Sequence, residues 1–147
     1  MTSEENGGTD SLASLFQSIQ SMSVSDKLDL ARKGSKEART ILIRDSNRLV
    51  QLAVIQSPKI TEGEVLMIAN NRQVDDEVLK FIAINREWLK NYQVRVALAN
   101  NPKTPLPEAL KQVGFLKQRE LQLLAKSKSV PRALNIVAEQ RLQQVKK

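Results

Sequence analysis

Trp88 and Tyr92 stand four residues apart in "NREWLKNYQ", with Arg86 and Lys90 among them and Arg95 just beyond. Aromatic rings beside guanidinium groups at a surface are the side chains that carry most of the energy of protein interfaces. The same rings could stack nucleobases, or simply cover an apolar seam between two helices. A second set of candidates is polar: Ser57, Asn70, Asn71, Asn85, Asn100, Asn101 and Ser127 recur along the chain. Their ordinary role is helix capping. Aligned on one face they would instead form an amide ladder for an extended peptide, with Asn70 and Asn100 best placed. A third set is basic: Lys111, Lys117, Arg119, Lys126, Lys128 and Arg132, followed by Arg141, Lys146 and Lys147. These make either a solvated face or a track for phosphates, although no nucleic-acid-binding signature accompanies them.

Catalysis has little to work with. The sequence has no Cys and no His, so thiolate and imidazole ligand sets for zinc, iron–sulfur and haem are missing. Ser-His and Cys-His nucleophile pairs are excluded for the same reason. Asp75, Asp76 and Glu77 cluster in "VDDEV", but acids belong in the first turn of a helix on dipole grounds. "GSKEA" has a lone Ser and Lys without the further motifs that a Ser-Lys enzyme uses. The five glycines form no phosphate-binding loop. The expectation is a non-catalytic protein with no cofactor and no metal.

Charge narrows the choice of partner. The net charge is +7, yet residues 1–29 hold five acids and one base. Residues 30–147 therefore carry 22 bases against 11 acids, a surplus of +11. From Leu110 onward nine bases face two acids. Such a surplus attracts nucleic acid, anionic lipid or an acidic protein. The longest apolar run, "VLMIA" at 65–69, is far short of the roughly 20 residues of a membrane helix. The start "MTSEENGGTD" is acidic and polar, unlike a secretory or transit peptide, and a cytoplasmic location is expected.

The elements that position these residues can be read from punctuation. Residues 1–10 are too polar to bury and are expected to be disordered. Leu12, Leu15, Phe16, Ile19 and Met22 form one apolar stripe, which predicts an amphipathic helix over 11–24 that either caps the domain or docks on a partner. Residues 25–147 read as one helical repeat domain. There an apolar pair, a polar pair, two spacers and a helix-starting residue recur: "LARKGSKE" at 30, "VIQSPKIT" at 54, "IANNRQVD" at 68, "IAINREWL" at 82, "LANNPKTP" at 98 and "LAKSKSVP" at 124. "LIRDSNRL" at 42 and "QVGFLKQR" at 112 fill the gaps weakly. The apolar pair is the buried last turn of a helix; Asn or Ser follows because it tolerates left-handed backbone and can satisfy the free carbonyls where helices end. Proline then stops the helix. Thr61 with Glu64 has capping-box spacing, Asp75 precedes "DEVL", and Thr104 precedes Pro105 as if capping it.

A longer register overlies this one. "VQLAVIQSPKITEGEVL" from Val50 and "VRVALANNPKTPLPEAL" from Val94 align without a gap at a spacing of 44, in the range of HEAT and armadillo repeats. The fold class is thus all-α: an α-solenoid of about nine or ten short helices with a disordered N-terminus.

"VRVALANNPKTP" resembles the variant leucine-rich repeat of bacteria, a solenoid alternating α and 3₁₀ helices, well over 94–110 and moderately over 50–66. The iron–sulfur cluster that members of that family can carry is bound by cysteines, and this chain has none. Residues 30–140 also resemble small uncharacterised bacterial proteins with "LIRDSN", "SPKIT" and "NREW" strings, a likeness that implies no function. The functional expectation is a protein–protein interaction module, an adaptor or regulatory subunit, with a protein or peptide partner. The alternative is a basic helical-repeat protein that holds DNA or RNA by its phosphates.

Overall fold

The computed structural model describes residues 7–146, with side chains over 12–144. These residues form eleven α-helices and no strand. They divide into two compact units whose boundary falls between Ile60 and Thr61. The first holds α1 (Gly7–Gln20), α2 (Val24–Lys33), α3 (Lys36–Leu42) and α4 (Arg48–Ile55). The second holds α5 (Glu62–Ala69), α6 (Asp76–Ala83), α7 (Arg86–Leu89), α8 (Tyr92–Asn100), α9 (Leu106–Val113), α10 (Gln118–Lys126) and α11 (Arg132–Lys146). The all-α expectation holds, with eleven helices rather than nine or ten. Part of the excess comes from "NREWLKNYQ", which is broken in two: Asn91 accepts from the Gln93 N–H and starts α8 afresh.

Most helices are eight to ten residues long, too short to persist alone, so burial must hold them. In the first unit α1 packs on α3 and α2 on α4, around Ile19, Ala31, Ala38, Leu42, Val50, Val54 and Ile55. Gly34 permits the tight α2–α3 corner, since a Cβ there would stand 2.6 Å from the Leu30 carbonyl oxygen. In the second unit α5 and α9 pack on α8, and α9 and α10 on α11. Ala99, Ala109, Val113, Leu121, Leu124, Leu134 and Ala138 form its continuous buried cluster.

Side chains start seven consecutive helices, α2 to α8: Ser23, Ser35, Asn47, Thr61, Asp75, Asn85 and Asn91 each accept a backbone N–H of the first turn. The Thr61–Glu64 capping box is complete, with Glu64 Oε2 accepting from the Thr61 N–H at 2.9 Å.

Four expectations are corrected. No described residue has positive φ, so the junction amides and hydroxyls do not act through left-handed backbone. They act through bonds: Ser57, Asn71, Asn101 and Ser127 each accept, with the side-chain oxygen, the N–H two residues on. Thr104 is not a cap. The cap is Pro105, with no side-chain bond, and the buried Thr104 hydroxyl has no hydrogen-bond partner. Pro107 is the reason, because it removes the N–H that Thr104 would have bonded three residues on. The expected disordered tail falls on residues 1–6, outside the described residues, and on 7–10, which are helical. α1 thus begins a turn ahead of its apolar stripe, its first-turn carbonyls accepting from N–H groups four residues on. It also ends at Gln20, short of residue 24, where the Ser21 hydroxyl donates back to the Ser18 carbonyl at 3.0 Å.

The 44-residue register is present in the backbone. α4 and α8 start at Arg48 and Tyr92, and α5 and α9 run 62–69 and 106–113. Between the helices of each copy lies the same turn: the Ile60 N–H donates to the Ser57 carbonyl (3.2 Å) and the Thr104 N–H to the Asn101 carbonyl (3.1 Å). Pro58 and Pro102 hold the second position of these turns, where φ near −65° is required and no N–H is used.

Candidate partner-binding surface

The predicted site residues separate into those that serve the scaffold and those that gather. Asn70 and Asn100 do the former: their amides donate to the Leu66 and Val96 carbonyls of their own helices, at 3.1 and 2.9 Å. The amide that crosses between turns is Asn101. It is 3% exposed, and its Nδ2 donates to the Ala69 carbonyl (2.8 Å) and the Asn71 carbonyl (2.9 Å). Arg86 is exposed on α7. Trp88 is half-buried, its ring 6.0 Å from that of Phe81 and tilted by 55°, covering the α6–α7 seam. With α7 and α8 broken apart at Asn91, Trp88 and Tyr92 do not share a helix.

Tyr92 and Arg95 do share one. They are three residues apart on α8, hence on one face, and both reach the segment joining α9 to α10. The Tyr92 hydroxyl donates to Glu120 Oε1 at 2.5 Å and accepts from the Lys117 N–H at 2.8 Å. The Lys117 ammonium lies 5.0 Å from the centre of the Tyr92 ring. Arg95 donates to Gln112 Oε1 at 3.0 Å, and its guanidinium carbon stands 3.7 Å over the Phe115 ring. Phe115 remains 58% exposed, a large ring left in water with a cation seated on it.

Burial pushes the Tyr92 phenol above its ordinary value, the Glu120 carboxylate adds to this, and the Lys117 N–H opposes it. The hydroxyl therefore keeps its proton and stays a donor to Glu120. The surface thus comprises Tyr92, Arg95, Gln112, Phe115, Lys117 and Glu120. Sequence reading found Tyr92, Arg95 and Lys117 but assigned them to two different sites. It missed Gln112, Phe115 and Glu120, whose signal is tertiary.

The other basic candidates, Lys111, Arg119, Lys126, Lys128 and Arg132, are exposed on α9, α10, α11 and the turn before α11. None of them forms an ion pair with a carboxylate among the described residues. Among the described residues no group of His, Cys, Asp and Glu could hold a metal ion, and no helix is long and apolar enough to cross a membrane. No family model, curated protein or solved structure matches the chain.

Proposed function

We propose that the chain is a non-catalytic protein-interaction module, a cytoplasmic adaptor or regulatory subunit, that engages its partner through the Tyr92–Arg95–Phe115–Lys117 surface. The observation that carries this reading is Phe115, 58% exposed and stacked beneath Arg95. Burying a ring of that size contributes about 1.5–3 kcal/mol, and aromatic and Arg side chains dominate interface hot spots. Packing of α1 on α3 and α2 on α4 in one unit, and of α9 on α11 in the other, supports solenoid-type stacking of short helices within each unit. Stacked repeats offer extended surfaces of the kind adaptors use.

The test is a photoreactive benzoylphenylalanine at position 115, with Leu49 as control because it is 52% exposed in the first unit. Irradiation in a lysate of the source cells should give a nuclease-resistant protein adduct from position 115, lost on Arg95→Ala and absent from position 49. Equal labelling from both positions would defeat the proposal. An adduct at 115 that nuclease removes would establish the second reading, phosphate binding, which the five unpaired cations favour.

A further inference from the structure

Arg95 and Lys117 are held by rings rather than by acids. Each sits on an aromatic face, Phe115 and Tyr92 respectively, at 3.7 and 5.0 Å. Neither forms an ion pair with a carboxylate of the described residues. Lys27 in the first unit shows the ordinary alternative, bonded to Asp45 at 2.6 Å with both side chains mostly buried. The two arrangements differ in what they leave behind. A carboxylate cancels the charge that it fixes in place. A ring fixes a cation through its quadrupole and cancels nothing. Glu120, the acid bonded at this surface, takes the Tyr92 hydroxyl instead.

From this we infer that Arg95 and Lys117 are the anion-reading half of the surface, and that the partner is an acidic polypeptide segment setting a carboxylate beside an apolar side chain. The inference rests on the protein-interface reading above and names the partner's chemistry. Three further observations support it. Residues 110–147 hold nine bases and two acids, whereas 61–109 hold six bases and seven acids, so the stretch that supplies Phe115 and Lys117 is the basic part of the unit and suits an acidic partner. Large apolar side chains stand exposed among those bases, Phe115 at 58%, Leu123 at 61% and Ile136 at 46%. A phosphate backbone would leave the Phe115 ring wet, while an acidic segment with an apolar anchor would cover it. Finally, Gln112 is 3% exposed and grips one nitrogen of Arg95, so the guanidinium is oriented before any partner arrives. Preorganisation of that kind lowers the ordering cost of binding.

The experiment uses the full chain and a labelled short peptide of Glu and Asp with a central Leu-Phe pair, followed by fluorescence anisotropy at low salt. Controls are the peptide with Gln and Asn for every acid, the peptide with Ser-Ser for Leu-Phe, and a single-stranded oligothymidylate. The acidic Leu-Phe peptide should bind, and each altered peptide should bind about tenfold more weakly or worse. Phe115→Ala, Arg95→Gln and Lys117→Gln should each cause a similar loss. Lys117 is exposed, so its variant reports on binding even if Arg95→Gln disturbs the fold. Absence of binding by the acidic peptide overturns the inference, as does oligothymidylate binding that the peptide cannot displace. If the peptide fails while position 115 still gives a nuclease-resistant adduct, the partner is not acidic and the interface reading stands. If both fail, the interface reading falls with it.

Discussion

The two copies of the 44-residue register share a backbone and differ in what their polar groups do. In the first, Thr61 and Glu64 close on each other in a capping box. In the second, Pro105 occupies the place of Thr61 and has no N–H to offer, and Glu108, in the place of Glu64, is left with a buried Oε2 that has no hydrogen-bond partner. Gln51 of the first copy is buried and donates to the Asp45 carbonyl at 2.7 Å; its counterpart Arg95 reaches out over Phe115. Ser57 makes one long bond back to the Arg32 carbonyl at 3.4 Å, while its counterpart Asn101 makes two short ones. The first copy closes the start of its second helix with a capping box. The second leaves that start without a side-chain cap, holds its turn by one buried amide, and carries the candidate surface on its first helix.

Removing that amide should have the largest effect. Asn101→Ala leaves two carbonyls and the Lys103 N–H without their partner, and should destabilise by about 2–3 kcal/mol. Ser57→Ala, with bonds of 3.3 and 3.4 Å, should cost about 1 kcal/mol. Urea titrations followed by helix circular dichroism compare them, and equal losses would erase the proposed difference between the copies.

The choice between Asn100 and Asn101 shows where legibility ended. The two are adjacent and identical in type, and the sequence expectation falls on Asn100. A signal was present: the residue before proline is pushed towards extended backbone, and Asn101 before Pro102 is extended, at φ −83° and ψ 118°. Helix starts were readable because a cap needs only residues two or three apart, as Asp75 and Thr61 show. The stacking of Arg95 on Phe115 joins residues nearly half of the 44-residue register apart. It depends on how α8 and α9 rotate against each other, which no local rule fixes.

A smaller effect runs the other way. Pro105→Thr recreates the capping box of the first copy at α9. Capping contributes about 1 kcal/mol, offset by about 0.5 kcal/mol for the freer unfolded chain. The net expectation is a gain of about 0.5 kcal/mol, seen as a higher urea midpoint and smaller when Glu108→Ala removes the reciprocal half of the box. No gain in the single variant would mean that the restored hydroxyl does not cap α9.

The smallest expected effects separate the units by pH. Burial raises the Asp45 carboxyl, but the Lys27 bond, the Asn47 N–H and the Lys27 charge together hold it below its ordinary value. Its contribution is present above the unfolded carboxyl pKa of about 3.9 and is lost as pH falls through the lower folded value. Tyr92 is raised, so its contribution is present below the unfolded phenol pKa of about 10 and is lost as pH climbs through the folded value. Asp45→Asn should flatten only the acid limb of the melting-temperature profile, and Tyr92→Phe only the alkaline limb. A change in the opposite limb for either variant would break the assignment.

The Asn101 amide also bears on how the chain can change in length. It reaches carbonyls 32 and 30 residues away in sequence, so it registers one turn against another as a peg registers two plates. An inserted residue between Asn101 and Pro102 would separate the amide from the proline that holds it extended, and the peg would leave its hole. The segment 86–91 carries no such peg: α7 is four residues long, and the Asn85 and Asn91 side chains that flank it bond only to N–H groups two or three residues away. Insertions and deletions in this fold belong there, and the turn at Asn101 is the fixed mark from which the rest of the second unit is spaced.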